Sequence, residues 1–186
     1  MKADLTDTPH RSRTPAPEAA VALITCGEPE TKILLLRRVH DERDPWSGHY
    51  AFPGGRRDDG DDTIYQTCVR EVFEETGIVL DDNSLQRICA PSLAGRNVKA
   101  PMLVQPYVFR LSGRPAVRVE PAEIDSHVWL SLKSFRRLEK HRVIEVLPGM
   151  RRPVFPMNDY YVWGFTYGLL CRLFGVDSDL VVRRRD

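Results

Sequence analysis

Gly54-Gly55-Arg56-Arg57-Asp58-Asp59-Gly60-Asp61-Asp62 runs into Thr63-Ile64-Tyr65-Gln66-Thr67-Cys68-Val69-Arg70-Glu71-Val72-Phe73-Glu74-Glu75-Thr76-Gly77-Ile78, and the reading of this stretch decides the fold. Two glycines and a run of aspartates make a loop. Cys68, Val69, Val72 and Thr76 then recur at the period of an inward-facing stripe, which predicts a helix over 63–76. Asp61 or Asp62 is its expected N-cap, because a short carboxylate accepts a hydrogen bond from an unpaired first-turn N–H. Gly77 stands where a left-handed C-terminal cap belongs.

Glu71, Glu74 and Glu75 are spaced i, i+3 and i+4, so all three project from one helix face. Their repulsion costs roughly 0.2–0.5 kcal/mol per i,i+4 pair. The helix dipole also disfavours anions in a last turn. Stability alone would not select this arrangement. A hard divalent cation reverses the sign, since oxygen ligands suit magnesium and manganese. The competing reading is a solvated acidic face with Arg70 as a surface partner. The double glycine lets backbone carbonyls approach a ligand, and the apolar stripe lies on the opposite face. Together they favour a metal site.

The segment resembles the Nudix box: glycine, five residues, glutamate, seven residues, then Arg-Glu-apolar-x-Glu-Glu-x-Gly-apolar. Arg70, Glu71, Val72, Glu74, Glu75, Gly77 and Ile78 match its second half. In the first half Asp62 takes the glutamate position, and one extra residue separates it from Gly55. The resemblance implies an α/β/α sandwich with a mixed β-sheet, and hydrolysis of the diphosphate of a nucleotide derivative with Mg2+ or Mn2+ as cofactor. It implies Glu74 and Glu75 as the main metal ligands, Glu71 as a further ligand or water-activating partner, and Gly55 as a carbonyl donor. Arg70 would hold the glutamates by charge-assisted hydrogen bonds.

Within that family, residues 52–61 resemble the longer loop of the coenzyme A diphosphatase branch. Leu34-Leu35-Leu36-Arg37-Arg38, Arg43, Gly48 and Phe52 to Gly55 resemble the same branch's upstream signature. There are departures: no threonine follows the leucines, Val39 replaces a small residue, and the Arg43-to-Gly48 spacing is one residue long. Val162-Trp163-Gly164-Phe165-Thr166 is similar to that branch too, although helix packing accounts for its composition. The implied substrate is coenzyme A or acyl-coenzyme A, cleaved to 3′,5′-ADP and a 4′-phosphopantetheine. Arg37, Arg38, Arg43 and Arg56 are the candidates for binding its phosphates, with Arg57, Arg96 and Lys99 as further cations; arginine suits bidentate phosphate contacts. Each of them taken singly reads better as a solvated surface charge. Trp46 and Tyr50 either stack on adenine or anchor their loop. Glu120 and Glu123 are candidates for the general base, with plain surface acids as the alternative, and the histidines read as non-catalytic.

Other readings stay open. The box is shared with hydrolases of ADP-ribose, dinucleotides and nucleoside triphosphates. A non-catalytic nucleotide-sensing module on the same scaffold is possible, but it has no need to keep three mutually repelling glutamates. A calcium loop over 58–62 fails on spacing, because no acids alternate before the glycine and no glutamate closes the loop.

Outward from the box, Ala20 to Thr25 and Ile33 to Leu36 read as strands joined by the Gly27-Glu28-Pro29-Glu30 turn, a hairpin. His49 to Phe52 is short and extended. Strand-like runs follow at Ile78–Leu80, Leu85–Cys89, Met102–Leu111, Ala116–Val119 and His127–Leu130. Ser131 to Leu138 predicts a short helix. Tyr160 to Phe174 predicts a longer one, capped by Asn158 or Asp159 and ended by Gly175. The domain layout is an N-terminal arm over 1–17, a single α/β domain over 18–176 and a basic tail over 177–186.

The chain has 186 residues, enough for one sizeable core. Lysine plus arginine number 27 against 26 acids, a balance that excludes a general nucleic-acid surface and leaves anion binding to local clusters. No long apolar run predicts a membrane span, and no secretion signal is expected. Cys26, Cys68, Cys89 and Cys171 show neither metal nor disulfide spacing, so reduced thiols in the cytoplasm are expected. The expected partner is a small nucleotide substrate, with a homodimer as a further possibility.

Overall fold

The computed structural model describes residues 15–27, 30–40, 48–95, 101–158 and 160–183. Its elements are β1 (Ala19–Cys26), β2 (Lys32–Arg38), β3 (Tyr50–Ala51), β4 (Gly54–Arg56), α1 (Ile64–Thr76), β5 (Leu85–Ile88), β6 (Ser92–Ala94), β7 (Met102–Leu111), β8 (Ile124–Ser131), α2 (Leu132–Phe135), β9 (Arg142–Leu147), β10 (Met150–Pro156), β11 (Tyr161–Val162), α3 (Gly164–Phe174) and α4 (Ser178–Arg183). The result is the expected α/β sandwich with a mixed sheet.

β1 organises the sheet. It runs parallel to β7 along its whole length, from Ala19 opposite Val104 to Cys26 opposite Leu111. Its other edge is shared. The start of β1 pairs with β4, and its end pairs with β2, as the predicted hairpin requires. The sheet therefore forks between β4 and β2. β2 continues away from β1, pairing with β8 along its length and with β3 at its end.

Strand alternation sorts the core into two layers. Ala20, Ala22 and Ile24 of β1, with Leu34 and Leu36 of β2, pack against Cys68 and Val72 of α1. Leu23, Ile33 and Leu35 face the other way, toward Phe135, Tyr167, Leu169 and Leu170. The small alanines on the first side let α1 lie close to the sheet.

α1 begins where expected but is capped differently. Thr63 is the N-cap, and its side chain and that of Gln66 form a reciprocal capping box. Neither Asp61 nor Asp62 caps the helix. Gly77 ends it in the left-handed conformation, with φ 68°.

Two runs read as strands are not strands. Ile78 to Leu80 is unpaired by any ladder, although Ile78 and Leu80 are buried. Ala116 to Val119 runs beside the end of α1 instead. The Arg118 N–H donates to the Thr76 carbonyl and the Glu120 N–H to the Glu75 carbonyl, satisfying groups that a helix end leaves open.

The helix expected from Tyr160 starts at Gly164. Tyr161 and Val162 pair with β10 as β11, and Trp163 takes the N-cap position without a side-chain cap bond. Asn158 is no cap, and Asp159 lies outside the described residues. The β9–β10 hairpin was not expected, although Pro148-Gly149 between two runs containing β-branched residues is a turn signal. The stretch read as a basic tail holds α4, which buries Val181. Residues 1–14 of the expected arm lie outside the described residues.

Candidate active site

The fork in the sheet places β4 beneath α1. Gly54 has φ +140°, and a Cβ there would strike the backbone of Ala20 and Val21. A Cβ on Gly55 would fall inside the Glu71 carboxylate. Glycine at both positions is what lets the helix carboxylates descend onto the strand. The Gly54 N–H then donates to Glu75 Oε2 at 2.8 Å.

The three glutamates on one helix face have unlike surroundings. Glu75 is 5% exposed, and among the described residues Gly54 is its one side-chain hydrogen-bond partner. Burial pushes its carboxyl up to about 8; the Glu71 and Glu123 charges push the same way, while the Gly54 N–H and the Arg38 charge pull down. Glu71 is half-buried and also raised, first by burial, against the pull of Arg70. The Glu74 side chain is 55% exposed.

Arg70 ties the group together. It donates to Glu71 Oε1 at 2.8 Å and to Glu74 Oε2 at 2.9 Å. Its other face makes two bonds to Asp61, from Nε at 3.0 Å and from Nη2 at 2.8 Å. Asp61 also accepts from the Asp58 N–H and from Thr67 Oγ1, and these partners, Arg70 foremost, hold its carboxyl well below the usual carboxylate range. Asp62, placed at the box's first acid by spacing, takes no part; it is exposed. The extra loop residue moves the functional acid to Asp61. The capping box Thr63-x-x-Gln66 carried the missed signal: once Thr63 is the cap, Asp61 is released for Arg70.

The cations divide. Arg37 and Arg38 end β2 on opposite faces. Arg38 acts on Glu75, whereas the Arg37 guanidinium lies 6.0 Å from the centre of the Tyr160 ring and 3.9 Å from Asp125. Arg56 is exposed, and its carbonyl accepts from Arg70. Arg57 is spent on the loop, donating to the carbonyls of Asp61 and Asp62. Arg43, Trp46, Arg96 and Lys99 lie outside the described residues. Tyr50 is buried in the core, so it anchors its strand and is no stacking surface. In the 120–123 turn, Glu120 Oε1 accepts from the Ala122 N–H, while the Glu123 charge is felt at both Glu71 and Glu75.

The donor set fits a hard divalent cation. Two carboxylates are drawn together under a glycine strand, both with raised affinity for protons, and the nearest guanidinium bridges outward to Asp61 and Glu74. Among the described residues no three His, Cys, Asp or Glu side chains converge without rearrangement, because Arg70 draws Glu74 away from Glu75.

A family model described as NUDIX domain matches residues 16–148. The chain is 28% identical over 169 residues to the peroxisomal coenzyme A diphosphatase ndx-8 of Caenorhabditis elegans, covering 89% of this chain and 69% of that protein. It is 34% identical over 106 residues to an uncharacterized protein of Schizosaccharomyces pombe, covering 54% of this chain and 32% of the other, so it spans about a third of that relative's length. The fold is similar to the crystal structure of a NUDIX hydrolase from Alicyclobacillus acidocaldarius, with TM-score 0.58 and 16% identity over 92% of this chain and 97% of that one.

Proposed function

The chain belongs to the NUDIX domain family, a Nudix hydrolase by that membership, and we propose that the bond it cleaves is the diphosphate of coenzyme A or a short acyl-coenzyme A. The observation that carries this reading is buried Glu75 beside half-buried Glu71 against Gly54-Gly55, with Arg38 on their side of the β2 end and Arg37 on the other. The resemblance of residues 34–55 to the coenzyme A diphosphatase branch and the named relative from Caenorhabditis elegans support the substrate.

Glu71, Glu74 and Glu75, with the Gly55 backbone, would hold a divalent cation, magnesium or manganese. When bound, it neutralises and orients the diphosphate and eases formation of hydroxide. Arg70 fixes the Glu71 and Glu74 carboxylates while Asp61 fixes Arg70. Glu123, whose charge bears on both Glu71 and Glu75, is the proposed acceptor of the attacking water's proton. Addition of that water across the P–O–P bond yields 3′,5′-ADP and a 4′-phosphopantetheine. Arg38 and Arg37 supply positive charge to the anionic substrate.

No described helix is long and apolar enough to cross a membrane. The four cysteines are free, which supports a reducing compartment such as the cytoplasm; the word peroxisomal describes the relative.

The test is a substrate panel with chromatographic identification of products at saturating magnesium or manganese. Coenzyme A should exceed dephospho-coenzyme A in kcat/KM by about one to two decades, the worth of one charge-assisted contact. Equal or better turnover of dephospho-coenzyme A or ADP-ribose overturns the substrate reading and leaves the family assignment standing.

A further inference from the structure

On the face of β2 opposite the carboxylates lies a cluster the box does not explain. His49 stacks on Tyr160 with ring centroids 5.7 Å apart, and Trp163 meets His49 edge-on at 5.0 Å. Tyr160 in turn stacks on Tyr161 at 4.3 Å. All four rings are only partly buried; His49 and Tyr161 both stack on Tyr160, and the outer members of the stack keep exposed surface. Arg37 sits over Tyr160. Trp163 is the N-cap of α3, and no side chain caps that helix, which leaves its first-turn N–H groups to solvent or a ligand. The Trp163 indole N–H is shielded from water and has no hydrogen-bond partner among the described residues.

The cluster is joined to the carboxylate site by one strand end. Arg37 and Arg38 are consecutive, about 3.3 Å apart along the strand, and point to opposite faces. The Arg38 charge is felt at Glu75, while its own N–H donates to the His49 carbonyl at 3.1 Å. The Val39 N–H donates to the Glu123 carbonyl at 2.8 Å. The β2–β8 register shifts between Arg37 and Arg38, where Asp125 is passed over on β8.

We propose that His49, Tyr160 and Trp163, with Arg37 and the start of α3, form a shelf for the base and 3′-phosphate of an adenosine 3′,5′-bisphosphate group. This rests on the coenzyme A reading. The planar base extends the stack that Tyr160 holds together, from its exposed outer rings, the guanidinium pairs with the 3′-phosphate, and the 5′ side leads around the strand end toward Glu71 and Glu75.

The experiment is binding of 3′,5′-ADP and of 5′-AMP to the full chain in chelator, followed by tryptophan emission and calorimetry, so that hydrolysis plays no part. Wild type should prefer 3′,5′-ADP by about tenfold or more. Its emission change should vanish in Trp163→Phe. Tyr160→Leu should weaken both nucleotides by about tenfold, and Arg37→Gln should weaken 3′,5′-ADP alone. Thermal melts establish that each variant is folded. Wild-type affinity for 3′,5′-ADP in both Tyr160→Leu and Arg37→Gln overturns the shelf. Coenzyme A hydrolysis measured in parallel separates the two proposals. Cleavage with unchanged KM in Tyr160→Leu sinks the shelf and spares the substrate reading. Tyr160-dependent binding without coenzyme A cleavage does the reverse.

Discussion

Glu75 and His141 are both buried ionisable groups, one on each side of the sheet, and they are treated in opposite ways. His141 is 2% exposed, and both ring nitrogens are engaged: Nδ1 lies 2.8 Å from the Tyr167 hydroxyl and Nε2 2.6 Å from the Phe135 carbonyl. Phe135, Phe155 and Tyr167 enclose the ring. Glu75 is nearly as buried, yet its hydrogen bond comes from one backbone N–H, and two other acids bear on it. Every hydrogen-bonding position of His141 is used to hold α2, the β9–β10 hairpin and α3 together. Glu75 is left short of positive charge, and that shortage is the mark of a site meant to be completed by something else.

The sharpest way to break the contrast is to neutralise the under-partnered side. Glu75→Gln and Glu74→Gln should each lower turnover by at least about 10²–10³-fold, as loss of a charged group stabilising the transition state does. Only Glu75→Gln should alter the pH dependence of stability in chelator. The wild-type carboxyl is raised to about 8, so in the folded state it keeps a proton that the unfolded chain has released. Its contribution is full below the ordinary carboxylate range and is lost as pH rises toward 8. Across that window the melting-temperature advantage of wild type over Glu75→Gln should shrink as pH rises. Near-normal turnover in both variants at saturating magnesium would sink the metal-ligand assignment.

A smaller effect tests the support behind the glutamates. Asp61→Asn should reduce activity or metal affinity by about 10–100-fold, the usual consequence of removing a group that orients a ligand. Asp62→Asn should leave both unchanged. If the two variants behave alike, the Arg70–Asp61 pairing has no functional weight.

The smallest effect lies on the saturated side. Burial lowers the His141 pKa, opposed by the Phe135 carbonyl, so the folded protein holds the ring neutral where the unfolded chain protonates. This contribution is full above the ordinary histidine value and is lost as pH falls below it, with a slope of at most about 1.4 kcal/mol per pH unit. Denaturant titrations from pH 7 to 5 in chelator, made on a Glu75→Gln background so that the opposing Glu75 slope is absent, should show that decline, and adding His141→Leu should remove it. An unchanged decline in the variant would assign it to other groups.

The α1 side was legible in advance because its determinants are local. The 3.6-residue period fixed which residues of 64–76 face inward, the i, i+3, i+4 spacing fixed a common face for the glutamates, and Gly77 fixed the helix end. The α3 side was read less well. The apolar pattern extends the helix back to Tyr160, but Tyr161 and Val162 form β11, which owes its existence to pairing with β10 rather than to its own pattern. Likewise 116–119 has strand composition, but its N–H groups go to the end of α1.

The sequence by itself determined that a carboxylate helix follows a double-glycine loop, that β1, β2 and β7 are core strands, and that the chain carries the chemistry of a Nudix box. Only the tertiary structure decided that Glu75 is buried while Glu74 is exposed, that Asp61 rather than Asp62 holds Arg70, and that Tyr160 and Trp163 gather beside Arg37. Spacing along a helix fixes direction, but burial and partner choice depend on which distant backbone arrives, as Gly54 arrives at Glu75 from 21 residues away.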